Sequence, residues 1–153
     1  MERDMTREQI QEFSLRISQC SRTELVVITD EIIIAYIEEA EKALDSGNRE
    51  DFLFQLKKAR QFVDELCSAL DMRFELSFQL MNLYSYIRDC LIKAGVRNTK
   101  ENLADAVKVI QGLKEAFVEV AKTDHSGKVI ENSQKVYAGL TYGPGSKLNE
   151  VVL

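Results

Sequence analysis

The sequence predicts an all-α protein: an antiparallel up-down four-helix bundle with an additional short N-terminal helix and an irregular C-terminal tail. Three observations support this. The chain has one proline, Pro144, and four of its seven glycines lie at or after Gly127, so little interrupts a helix before about residue 122. Residues suited to capping recur at Thr6, Ser21, Asn48 and Asn98, each ahead of an apolar pattern of helical period. No segment shows the period-two alternation of a strand.

A first segment, about Thr6–Cys20, has Thr6 and Gln9 at capping-box spacing and places Ile10, Phe13 and Ile17 on one side. Ser21-Arg-Thr-Glu24 forms a second box and opens a long helix that should end near Ser46-Gly47. Apolar residues from Leu25 to Leu44 cover more than half of that helix's wheel, with Asp30, Glu31, Glu38, Glu41 and Lys42 on the opposite arc. Val27 and Ile34 stand within the polar arc, seven residues apart and therefore aligned. They are expected to face outward.

Asn48 should cap the next helix, with Glu50 and Asp51 in its first turn to suit the dipole. Its apolar face runs from Phe52 to Leu70, while Phe54 falls on the other side among Lys57, Gln61 and Asp64. A third long helix, about Glu75–Ala94, should close at Gly95. Leu76, Leu80, Leu83, Tyr84, Ile87 and Leu91 form its inner face, with Phe78, Met81 and Ile92 off that stripe. The fourth should start near Asn98-Thr-Lys-Glu101 and reach about Lys122, with Leu103, Val107, Ile110, Leu113 and Phe117 as its seam. The expected organisation is an amphipathic segment 1–20, a bundle 21–122 and a tail 123–153. That tail is either frayed or docked as an extended segment or short helix through Tyr137, Leu140 and Tyr142.

A net charge of −5 and a pI near 5.0 argue against nucleic acid or an anionic membrane as the main partner. No apolar run approaches the ~20 residues of a membrane span, and the charged start MERDMTREQIQEF leaves no room for a signal-peptide core. A cytoplasmic location is expected. Cys20, Cys67 and Cys90 are widely spaced and His125 is the only histidine, so neither a metal site nor a disulfide framework is expected. Nothing calls for a cofactor.

Apolar side chains left outside a closed bundle suit a protein that holds another chain. Val27 and Ile34 together offer about 3–6 kcal/mol of burial, less than association and client ordering require. A second patch is needed, and Phe54, Phe78, Met81 and Ile92 are the candidates. Ile10, Phe13 and Ile17 are spaced to cover such a surface from within the chain; a homodimer is another cover. The competing class is an all-α enzyme holding a small anionic substrate through Arg60, Arg88 and Lys114, but no catalytic residue, nucleophile–base pair or phosphate loop accompanies them. Lys114 falls on an apolar face and should snorkel or meet Asp71 or Glu75. A regulatory adaptor bundle with some other protein partner is a third class.

These residues resemble the FliS-type flagellin export chaperones. The family's Ser-x-Glu-Glu-Leu-Val opening is matched by Ser21-Arg-Thr-Glu24-Leu25-Val26. Leu70-Asp71, Glu75-Leu76, Leu80-x-x-Leu83-Tyr84-Ser85-Tyr86-Ile87 and Leu91-Ile92-Lys93-Ala94 follow in the family's order, and Leu113-Lys114-Glu115-Ala116-Phe117 stands where it often has Leu-Arg-x-Ala-Trp. The resemblance covers about residues 21–121. It departs at Thr29-Asp30-Glu31-Ile32, where the family commonly has Leu-Tyr-Asp-Gly. The resemblance implies a cytoplasmic helical bundle that binds the disordered C-terminal region of flagellin and prevents premature polymerisation. It also implies an N-terminal segment that covers part of the binding surface when empty.

Overall fold

In the computed structural model, which describes residues 6–124, 127 and 130–141, six helices account for most of the described residues. They are α1 (Arg7–Gln19), α2 (Arg22–Asp45), α3 (Arg49–Ser68), α4 (Glu75–Arg97), α5 (Glu101–Ala121) and α6 (Ile130–Thr141). No strand occurs among the described residues. Both N-terminal capping boxes form: the Thr6 side chain accepts from the Gln9 amide and the Ser21 side chain from the Glu24 amide, and each partner reaches back. Asn48 caps α3 through the Asp51 amide at 3.0 Å.

Helices α2 to α5 close a ring of contacts, α2 against α3 and α5, and α4 against α3 and α5. The wide apolar surface of α2 follows from its position. It also carries α1, and Ile32, Ile33, Tyr36 and Ile37 are fully buried. Tyr36 stacks on Phe62 of α3 with ring centroids 5.7 Å apart. Phe52, Leu91, Leu103 and Ile110 bring the other three helices into the same core.

Several sequence expectations are corrected here. Gly95 does not end α4; it lies buried inside the helix, where a Cβ would stand 3.4 Å from Leu53 and Leu56 of α3. The missing side chain admits a close approach of two helices. The helix ends instead at Asn98, which takes the left-handed conformation (φ 54°) and receives a 2.7 Å hydrogen bond from Arg49. Asn98 therefore does not cap α5, whose first turn is served by Thr99 accepting from the Glu101 amide. Leu76 and Leu83 are exposed, the first because it sits in the opening turn of α4 and the second at the margin of the stripe. In the tail, residues 130–141 are helical. Val136 and Leu140 are buried whereas Tyr137 is 38% exposed; Tyr142 lies outside the described residues.

Gly112 sits mid-helix in α5, exposed, with open space where a Cβ would go. Gly112→Ala should therefore stabilise the protein by about 1 kcal/mol through helix propensity alone. A urea midpoint that does not rise would show an unrecognised requirement for glycine there.

Candidate partner-binding site

Four apolar residues on α3 and α4 were expected to form one exposed patch, and the structure divides them. Phe78 (56% exposed), half-buried Met81 and Ile92 (39% exposed) share one flank of α4, at spacings that keep them on a single line about 21 Å long. Phe54 is half-buried on α3 and belongs to another line, Phe54–Lys58–Phe62, with residues four apart. Exposed Met72, Phe74 and Leu76 add apolar surface at the α3–α4 turn and the start of α4. Met72 and Phe74 were not foreseen because turn residues show no helical period, and Leu76 was expected on the inner face.

Val27 and Ile34 do not face solvent. Val27 is only 8% exposed and borders a cleft of about 380 Å³ together with Arg16, Cys20, Ile28 and Val118. Ile34 is half-buried and packs against the core. The N-terminal part of the polar arc of α2 turns inward because two other helices reach it, while Glu38 and Lys42 stay exposed. Between the two residues, Glu31 pairs with Arg16 of α1 at 2.5 Å and with Lys114 of α5 at 3.4 Å. Lys114 thus meets Glu31 rather than Asp71 or Glu75. The line Val27–Glu31–Ile34 marks where α1, α2 and α5 meet.

Asp30, also placed on the polar arc by its sequence, is fully buried, and neither carboxyl oxygen has a hydrogen-bond partner among the described residues. Burial, with repulsion from Glu31 and against the opposing pull of Lys114, pushes its pKa up to about 8. Its neighbour Thr29 is satisfied by donating to the Leu25 carbonyl at 2.7 Å.

Ile10, Phe13 and Ile17, the residues expected to cover the surface, are docked. Ile17 is buried, Ile10 and Phe13 are half-buried, and all three pack against the core cluster. α1 lies on α2 and also against α6. On the far side of α6, the buried Lys58 of α3 donates to the Gly139 carbonyl at 3.2 Å, its ammonium standing over the Tyr36 and Phe62 rings.

Arg88 pairs with Asp64 at the α3–α4 seam and Lys114 with Glu31 at the α2–α5 seam, so these cations do not converge on one anion. Among the described residues, no group of His, Cys, Asp and Glu could hold a metal, and no helix is long and apolar enough to cross a membrane.

The helical core thus seats α1 on α2 and α6 against α1 and α3, and leaves an apolar line exposed on α4. The chain belongs to the FliS family: the family described as flagellar protein FliS matches residues 5–124. That family is one of flagellar export chaperones. No curated protein matches the chain.

Proposed function

We propose that this protein is a cytoplasmic, non-enzymatic chaperone that binds the disordered C-terminal region of flagellin and keeps it from polymerising before export. In this reading α2–α5 form an antiparallel up-down bundle, residues 1–20 a removable cover and residues 123–153 a tail that carries α6. The observation that carries it is α1, which lies within the family span and lays an apolar face on the bundle through one fully buried anchor, Ile17. Burying that side chain is worth about 1.5–3 kcal/mol and the half-buried Ile10 and Phe13 less, a contact that a longer client helix can outcompete.

When α1 lifts, Val27 and the Val27–Ile34 line become available to the client. Phe78, Met81 and Ile92 offer a second contact that needs no uncovering, and Phe54 a third. The reach suits a disordered client that folds as it wraps. A second copy of the chain is the alternative occupant of the α4 line.

Capture of the host's flagellin, with flagellin lacking its C-terminal region as control, tests the reading. Capture of both forms equally, or of neither, would remove it. Phe78→Asp combined with Ile92→Asp should weaken capture at least tenfold while shifting the melting temperature little, because both side chains are exposed. Undiminished capture by a folded double variant would move the client surface elsewhere.

A further inference from the structure

We propose that the groove walled by α1 and α3 is a helix-receiving site, and that α6 occupies it in competition with a helix of the client. This rests on the chaperone reading and adds a second cover at the other end of the chain.

α6 lies beyond residues 5–124, which the family matches, yet it is seated in the core. Val136 and Leu140, one turn apart, are buried, and so are Ala138 and Gly139, which lie on other sides of the helix. A helix buried on more than one side lies in a groove rather than on a flat face, and here the walls are α1 and α3. Lys135 exerts its charge on Glu65 of α3 while Gly139 meets Lys58, so α6 runs counter to α3.

Lys58 shows what the groove selects. The last carbonyls of any helix lack intrahelical donors, and a cation there is favoured by both hydrogen bonding and the helix dipole. Lys58 supplies that cation from α3, 5.5 Å from the Tyr36 centroid and 5.9 Å from that of Phe62. It also makes the seat reversible. A wholly apolar groove would strand bare hydrocarbon when its occupant left, whereas the ammonium can hydrate while its stem stays on the two rings. The occupant is therefore a helix that ends at Lys58, with two aliphatic residues one turn apart and small residues where α3 approaches.

The tether favours α6 as the resident. Asp124 is fixed by the Thr23 hydroxyl at 2.6 Å and the Thr23 amide at 3.3 Å, and only residues 125–129 separate it from α6. So short a link holds α6 at high effective concentration, and a client must exceed it to enter.

The test uses the full-length chain carrying Val136→Asp and Leu140→Asp, changes confined to α6, with circular dichroism to check that the bundle persists. Two labelled probes are titrated: a peptide copying residues 130–141 and one copying the C-terminal region of the host's flagellin. The first should bind the variant one to one, and the unaltered chain at least tenfold more weakly. The flagellin peptide should gain at least tenfold on the variant, and each peptide should displace the other. Adding Lys58→Ala should weaken both. Failure of the 130–141 peptide to bind the variant overturns the site. Equal flagellin affinity for both chains overturns the competition while the chaperone reading stands. No flagellin binding by either chain, with the 130–141 peptide still bound, overturns the competition together with that reading.

Discussion

Val27→Asp should cost about 3 kcal/mol or more, enough to lower the melting temperature by roughly 6–12 °C in a chain of this size. The valine contributes about 1.5–3 kcal/mol of burial. The carboxylate that replaces it would stand among Glu24, Asp30 and Glu31, one helical turn or less away on α2. The two cations in reach, Arg16 and Lys114, already hold Glu31. The new acid must then ionise without a partner, stay protonated, or lever α1 off the bundle to reach water. Val27→Ala loses only part of the valine's burial and should fall well short of that loss. Release of α1 would show as new protease sensitivity within residues 1–20. A variant with unchanged melting and a docked α1 would mean that Val27 faces solvent after all.

The failure to foresee this burial shows where the sequence stops being informative. Local signals were legible: the boxes at Thr6 and Ser21 and the cap at Asn48 are set by residues within a few positions of one another. So was membership of the family, since motifs along residues 21–121 fall within the span that the family matches. The helical wheel of α2 was also legible, but a wheel says which residues share a side and not how many helices arrive there. Charges at Asp30 and Glu31 made that side look solvated. In the fold, Glu31 is the ion-pair post between α1 and α5, and Asp30 is shut beneath it.

Asn98 failed differently, because asparagine suits a helix start and a left-handed helix stop alike, and only the contact with Arg49 decides. The residues of α6 do not by themselves specify a helix. Gly139 and the polar residues before Val136 weaken it as an isolated helix, and its seat between α1 and α3 supplies the rest. Lys58 was visible only as one of two adjacent lysines. The signal that would have found it is the pair of aromatics four residues on either side.

Asp30→Asn should stabilise the protein on the order of 4 kcal/mol at pH 7, and hardly at all near pH 4. Burial is the main cause that lifts the Asp30 pKa from 3.8 to about 8; Glu31 adds to it and Lys114 opposes it. From α4, Tyr84 faces the same acid, and its own pKa is raised by burial and by Asp30. The folded chain therefore keeps a proton that the unfolded chain gives up above pH 4. Between pH 4 and about 8 the unfolded state binds fewer protons, so stability falls as pH rises through that window and levels off above it. At about 1.36 kcal/mol per pH unit, the loss accumulated by pH 7 is roughly 4 kcal/mol. Asparagine has nearly the same shape and nothing to ionise, so the loss disappears while the packing stays. Glu65, raised mainly by burial but only partly enclosed, contributes with the same sign in both proteins, so the variant's curve should flatten without becoming level. Urea unfolding of both proteins at pH 4.5, 6 and 7.5 measures the effect directly. Parallel curves would show that Asp30 is charged and partnered in the native state. A converging pair toward acid would establish that the central helix carries a neutral acid next to the ion-pair post holding α1, which makes docking of the cover harder to sustain as that acid ionises.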